Sequence, residues 1–485
     1  MKDAEMQRLE AGMEIDGFRL EQRLHKGGMA FLWAVSRVAP VPGEAPLLMK
    51  IPILGDNDDP TAIVGFEVEQ MIMPKLAGIH VPHFIASGDF TGHPYIVMER
   101  IAGESLRARF DHAPLAVDEV VAIGARVASA LHDLHRQHVI HLDIKPSNIM
   151  FRASGEAILI DYGLSRHDKL PDLLAEEFRL PMGTGPYISP EQVLHIRNDP
   201  RSDLFALGVL LYHLLTGERP HGHPNSVRGL RRRLYRDPVP PRAINPRVPP
   251  WLQEIILRCL EVDPSARHDT AAQLAFELQN PDQVKLTSRA AKQARDGLLT
   301  VARRWFHAVG MESAPMQSAE QQLARAPIIA VAIDITHGSE ELAESLRVAA
   351  RRILQTAPGA RLACVTVKRT SRIGMDDHVD RQGRNIHVKH LVSLKHWARP
   401  LGIPPEKITF HVLEAPDPAG AIVDYARLND VDHIVIGSRG ASALRRYLGS
   451  VSSQVVAEAD CTVTVVKGAG AREEAAPPPQ AGTGR

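Results

Sequence analysis

Apolar and polar positions alternate from residue 17 to about residue 41, a period of two that predicts strands with one buried face; Gly27 and Gly28 interrupt it at a turn. Short apolar runs at 47–53 and 95–98 predict further strands of a small sheet, with a helix at 62–76 between them. After residue 117 the spacing changes. Val120, Ile123, Val127, Leu131 and Leu134 recur every three or four residues, which puts them on one face of a helix over 117–135. Helical spacing returns at 201–216, 251–260 and 270–278, so a mainly β part precedes a mainly α part up to residue 280. Residues 281–325 have no strand pattern. Within them 290–309 predicts a basic helix, with Lys292, Arg295, Arg303 and Arg304 around Leu298, Leu299, Val301, Trp305 and Phe306, and 313–325 predicts a flexible linker. The helix fits packing on a neighbour; a membrane-surface helix is the alternative. From residue 328 strand-like runs (328–335, 362–367, 408–413, 433–437, 462–466) alternate with helical ones (339–355, 390–401, 418–428, 442–458), the pattern of one parallel sheet with helices on both faces. Residues 471–485, rich in Pro, Ala and Gly, predict a disordered tail.

A chain of 485 residues exceeds one ordinary core. Its 57 basic and 57 acidic side chains cancel, which argues against an obligate nucleic-acid binder. Cys259, Cys364 and Cys461 lie far apart, with neither a disulfide nor a zinc spacing, as expected of a protein in the cytoplasm. The most apolar stretch, 204–215, is too short to span a bilayer and contains His213; residues 1–14 have no apolar core of a signal peptide.

Chemistry concentrates in the run His141-Leu142-Asp143-Ile144-Lys145-Pro146-Ser147-Asn148, followed by Asp161-Tyr162-Gly163 after an apolar run. Upstream, Lys50 ends a strand-like run and Glu69 lies in the next helix. Together these resemble the bacterial Ser/Thr branch of the eukaryotic-type protein kinase family over residues 17–280, and the order and context of the motifs are specific. The resemblance implies a bilobal α+β kinase fold that uses ATP and Mg²⁺ to phosphorylate protein substrates. Asn148 and Asp161 would be the metal ligands. Lys50, held by Glu69, would meet the phosphates; Asp143 would accept the substrate proton; Lys145 would reach the γ-phosphate; and Thr184 would orient Asp143. Gly27, Gly28 and Leu32 would cover the nucleotide, and backbone groups of Glu99 and Ile101 would meet adenine. Asp203 is similar to the buried Asp that bonds the catalytic loop, and Arg267 to the Arg that pairs with Glu191.

Four positions, in three motifs, depart from the family pattern. His25 and Ala30 replace two phosphate-loop glycines, Leu142 replaces the Arg that binds an activation-loop phosphate, and Tyr162 replaces Phe. The charged groups that phosphoryl transfer requires are all present. A catalytically weak nucleotide-sensing scaffold is the alternative reading. His132, His135, His138 and His141 recur every three residues, but they belong to the approach to the catalytic loop, and that spacing drifts around a helix. Arg228, Arg231, Arg232, Arg233 and Arg236 predict a solvated helix face.

A second Gly-rich turn, Gly437-Ser438-Arg439-Gly440, leaves a strand, and Gly449-Ser450 follows after eight residues. Backbone N–H groups at such a turn suit a phosphate, and Asp334 lies on the same sheet edge. Over 326–467 the chain resembles the ATP-binding branch of the universal stress protein family, with a loop one residue shorter than that family's. The resemblance implies an α/β doubly wound domain in which Asp334, Gly437, Gly440, Gly449 and Ser450 hold a second ATP; that this site regulates the kinase is a hypothesis drawn from the fusion of the two domains, and self-association into a homo-oligomer through this domain stays open. The expected organisation is a tail (1–16), kinase domain (17–280), linker (281–325), stress-protein domain (326–467) and disordered tail (468–485).

Overall fold

The computed structural model describes residues 9–54, 60–309, 326–371, 379–380, 384–438 and 449–468. The chain divides into two units, residues 1–318 with 381–384, and residues 319–380 with 385–485. The first begins with an antiparallel sheet of β1 (Glu14–Ile15), β2 (Phe18–Lys26), β3 (Ala30–Arg37), β4 (Leu47–Pro52), β5 (Phe84–Gly88) and β6 (Tyr95–Glu99) in the order β1-β2-β3-β4-β6-β5. Strand alternation does the sorting. Leu47, Met49 and Ile51 of β4 bury with Leu20, Trp33, Val35, Tyr95 and Val97, which turns Lys50 to the opposite face. Helix α1 (Pro60–Ile72) covers that face.

The helical part is built on α2 (Val117–Arg136), which packs against the buried helix α5 (Arg201–Thr216). Short strands β7 (Val139–Ile140), β8 (Ile149–Phe151), β9 (Ala157–Leu159) and β10 (Arg166–His167) frame the loop 141–148; β8 pairs with β9 and β10 with β7. Helices α3 (Leu173–Glu177) and α4 (Pro190–Val193) follow, then, after α5, come α6 (Val227–Arg231), α7 (Pro250–Cys259) and α8 (Ala271–Gln279).

The predicted basic helix over 290–309 is broken in two. A single turn, Ser288–Ala291, ends at Lys292, and α9 (Leu298–Val309) begins after Gly297. The break serves an ion network: Lys292 and Arg304 both bond Asp237, at 2.8 and 2.6 Å, and Asp296 pairs with both cations. Ala308 joins Ile188, Val193, Leu230 and Leu234 in an apolar cluster, so this stretch packs on the first unit while Leu299 and Phe306 stay exposed. The arginine run is not one solvated face. Arg233 is 2% exposed and donates to the carbonyls of Ile188 and Gly185.

The second unit is the expected parallel sheet: β11 (Ile328–Ala332), β12 (Arg361–Arg369), β13 (Ile408–Ala415), β14 (His433–Ser438) and β15 (Thr462–Lys467), in the order β13-β12-β11-β14-β15. Ile328, Ala330 and Ala332 pack with residues of α12 (Pro418–Leu428) and α13 (Ser450–Glu458). Helices α10 (Glu340–Thr356) and α11 (Ile386–Ala398) cover the other face. Helix α11 starts four residues before the predicted 390 because the Asn385 side chain caps it, accepting from the Val388 amide. The order reverses between β11 and β14, which makes the carboxyl edge there the switch-point crevice.

Candidate active site and second nucleotide site

Lys50 sits between two carboxylates. Its Nζ donates to Glu69 Oε2 at 2.5 Å and to Asp161 Oδ1 at 2.9 Å. Burial opposes the Lys50 charge, but Asp161 and Glu69 outweigh it and hold the ammonium above its ordinary value. The same ion pair holds the Asp161 carboxyl down, to about 2. Glu69 also accepts from the Tyr162 amide at 3.4 Å. This close fit of α1 depends on Gly65: a Cβ there would lie 3.0 Å from the Gly163 carbonyl oxygen. Tyr162 is fully buried, and its hydroxyl donates to the Leu159 carbonyl, which explains how Tyr is accommodated where the family has Phe.

Asp143 is surrounded by donors. Thr184 approaches Oδ1 with its hydroxyl at 2.8 Å and its amide at 3.1 Å; Lys145 Nζ and Asn148 Nδ2 approach Oδ2 at 2.6 and 3.2 Å. Four donors fill a carboxylate's acceptor sites, so an incoming hydroxyl must displace one, and the flexible Lys145 is the one that can swing away. The loop is fixed from behind by Asp203, which accepts from the amides of His141 and Leu142 at 2.9 and 2.8 Å. His135 bonds the same carboxylate, and His141 faces the Ile160 carbonyl, so both have structural partners. Leu142 and Asp161 both have a positive φ, 62° and 70°, the kind of backbone strain that clusters at functional sites.

The nucleotide-side residues fall around this cluster. Leu32 is the cross-strand partner of Lys50 and shares its face. The hairpin turn is closed by the Gly27 amide donating to Ala30 at 2.9 Å, and a Cβ on Gly28 would meet nothing within 4 Å, an open approach for a ligand. The Glu99 amide is already committed to the His83 carbonyl and its carboxylate to Arg152, so of its backbone groups only the carbonyl suits adenine; Ile101 follows just beyond β6. Asp161 has a side chain 43% exposed, and with the Asn148 carboxamide it supplies the hard oxygen donors that fit Mg²⁺.

In the second unit a cavity of about 1260 Å³ opens at the switch point, and Asp334, Gly437, Gly449 and Ser450 all line it. Gly440 lies outside the described residues. Two of these positions are more structural than the motif implies. Asp334 Oδ1 accepts from the amides of Thr336 and His337 at 3.1 and 3.0 Å, closing its own turn. A Cβ on Gly437 would lie 2.9 Å from the Leu342 side chain, so this glycine admits α10 against the sheet. Sequence reasoning missed Gly338, where a Cβ would stand 2.4 Å from the Asp334 carbonyl oxygen.

Comparisons with known proteins match both units. Residues 57–277 match the protein kinase domain and residues 327–467 the universal stress protein family. The chain is 27% identical over 282 residues to a probable serine/threonine-protein kinase of Clostridium perfringens, covering 58% of this chain and 40% of that one. It is 34% identical over 206 residues to serine/threonine-protein kinase PknB of Mycolicibacterium smegmatis (41% and 33%) and 29% identical over 272 residues to PknL of Mycobacterium bovis (56% and 67%). The chain thus spans less than half the length of the first two relatives. Among the described residues no helix is long and apolar enough to cross a membrane. The chain therefore joins a protein kinase domain to a universal stress protein domain.

Proposed function

We propose that the first unit is a Ser/Thr protein kinase that transfers the γ-phosphoryl group of ATP to protein hydroxyls, its own included. The observation that carries this reading is the Glu69–Lys50–Asp161 bridge, with Thr184 holding Asp143 beside it. Lys50 binds the α- and β-phosphates. Asp161 and Asn148 would hold Mg²⁺, and the ion would supply charge neutralisation to the phosphates. Lys145 leaves Asp143 for the γ-phosphate, and Asp143 takes the hydroxyl proton as the oxygen bonds phosphorus and ADP departs. The second unit binds a nucleotide in the cavity at Asp334, Gly449 and Ser450 and biases the kinase. All three cysteines are free thiols, in keeping with a cytoplasmic protein.

Incubation of the purified chain with γ-labelled ATP and Mg²⁺, followed by phosphosite mapping, tests the reading. Phosphoserine or phosphothreonine is expected on wild type and absent from Asp143→Asn. A wild-type chain that binds ATP yet transfers nothing would be a nucleotide-sensing scaffold instead.

A further inference from the structure

Residues 164–197 run from the Asp161 turn past Thr184 to four residues beyond α4, and one guanidinium ties this segment together. Arg197 Nε donates to Asp172 Oδ2 at 2.9 Å while its NH2 donates to the Leu164 carbonyl at 3.0 Å. The start, middle and end of the segment therefore meet at a single side chain. Arg166 adds a second positive charge, 3.8 Å from Asp172. The pair is largely out of solvent, with side chains 9% and 15% exposed for Arg197 and Asp172. The other oxygen of Asp172 accepts from the Ala175 amide and so opens α3. Helix α3 buries Leu173 and Leu174 and packs on α1, the helix that carries Glu69.

This anion is fixed in the sequence, whereas the part of the segment before Thr184 has little that could be modified. Ser165 is the one hydroxyl-bearing residue between 164 and 182. It is 2% exposed, and its hydroxyl donates to the His141 carbonyl at 3.1 Å, so a phosphate there would break the tie between β10 and the catalytic loop. Leu142 is buried and uncharged, so the loop offers no cation at that position to bind a phosphate.

We propose, resting on the kinase reading of this unit, that Asp172 and Arg197 are positioning residues whose ion pair does permanently what a phosphorylated activation segment would do. The pair keeps Thr184 on Asp143 and α3 against α1 with no covalent modification. Charge-assisted pairs that are partly buried and share further hydrogen bonds are the ones able to hold such a segment.

The test uses the full chain, treated with phosphatase and shown by mass to be unmodified at Ser165 and Thr184. Its initial rate should stay within about twofold of the untreated chain. Asp172→Ala should lower kcat tenfold or more while KM for ATP stays within about twofold. Asp172→Glu should restore at least a third of the rate, and the double variant with Arg197→Ala should be no worse than either single one. Hydrogen exchange over 164–184 should rise in Asp172→Ala and stay unchanged in α5. Full activity in a folded Asp172→Ala, or a wild type silenced by phosphatase, would overturn the proposal. A wild type inactive in every state would overturn the kinase reading instead. Exchange would then still decide the clamp, since equal protection in wild type and Asp172→Ala would show that the pair holds nothing.

Discussion

The two candidate nucleotide sites are built by different means. At the first, side chains from five separate stretches of chain meet in direct charge-assisted bonds: Lys50, Glu69, Asp143 with Lys145 and Asn148, Asp161, and Thr184. At the second, the cavity at the sheet edge is lined by apolar side chains such as Leu346 and Trp397, by small residues such as Gly449 and Ser450, and by charged ones such as Arg347 and Lys368, and Asp334 has turned one oxygen onto its own loop. A site of the first kind is organised before ligand arrives, which is what electrostatic stabilisation of a transition state needs. The second site also carries cations paired with carboxylates, Lys368 with Glu414 at 3.1 Å and Arg347 with Glu340 at 2.6 Å, but its features suited to a phosphate are the backbone at Gly449 and Ser450, where a helix begins. The proposed division, catalysis in the first unit and recognition in the second, can be attacked at several points.

The largest effect should come from Asp143→Asn. It keeps the shape, loses the proton acceptor, and should cut phosphate transfer by about 10²–10⁴-fold. Lys50→Met should do as much by releasing Glu69 and Asp161 from their shared cation. Both are read by initial rates with labelled ATP. Transfer that survives either change would mean that the second unit, or another group, does the chemistry.

Next in size is the frame behind the site. Arg267 is fully buried and bonds Glu191 through both arms at 2.7 and 2.8 Å. Arg267→Ala leaves that carboxylate buried beside one remaining donor, Ser202. Such a break costs about 3–5 kcal/mol. Calorimetry should show one transition, that of the first unit, moving down while the other stays. Movement of both would show that the units do not unfold separately.

The sequence was most legible where spacing is local. The run from His141 to Asn148, the Asp161 turn and the five strands from residue 328 were all readable because period and motif are carried by neighbours. Long-range partnerships were not. Nothing in the chain links Asp172 to Arg197, 25 residues on, or marks Arg233 as buried, because two of its three carbonyl acceptors lie 45 and 48 residues away. Strand β5 lacks the alternation that revealed β2 and β3, since none of its residues is fully buried. Gly65 offered a faint signal: a glycine inside a helical pattern is costly, so its presence hints at a close approach. Phosphate-loop glycines told less, because neither Gly27 nor Gly28 takes a left-handed backbone.

Acid should separate the units by a smaller margin. Among the described residues of the first unit, burial lowers His167, His195, His213, His221 and His268, with His213 at about 4 and His221 at about 3. In the second unit it lowers His390, to about 4, and His433. A histidine depressed in the native state stays neutral while the unfolded chain binds a proton. Stability is therefore lost as pH falls from about 6.5 toward the native pKa, most steeply for the deeply buried His221 and His268 and less for the partly exposed His195 and His433, which solvent screens. Between pH 6.5 and 4 the first unit should lose thermal stability faster than the second. Equal slopes would show that these histidines are solvated in the native chain.

The smallest expected effect sits at Asp334, and it probes the weaker half of the comparison. One of its oxygens is spent on the Thr336 and His337 amides, and the residue is exposed, so its bond to a ligand hydroxyl would be made in competition with water. Removing such an acceptor should weaken nucleotide binding by about tenfold, near the 1.5 kcal/mol of a modest charged hydrogen bond. Equilibrium dialysis with a non-hydrolysable ATP analogue should find two sites per wild-type chain. Asp334→Ala should weaken only one of them, and Lys50→Met should abolish the other. Gly449→Ala is the steric control. Its new Cβ would come no closer than 3.5 Å to the Ser452 hydroxyl, so the fold should tolerate it and any loss of binding would report on ligand approach. A single site in wild type, already missing in Lys50→Met, would make the second unit an interaction module without a nucleotide. The two halves of the chain would then differ in kind and not only in how their sites are held.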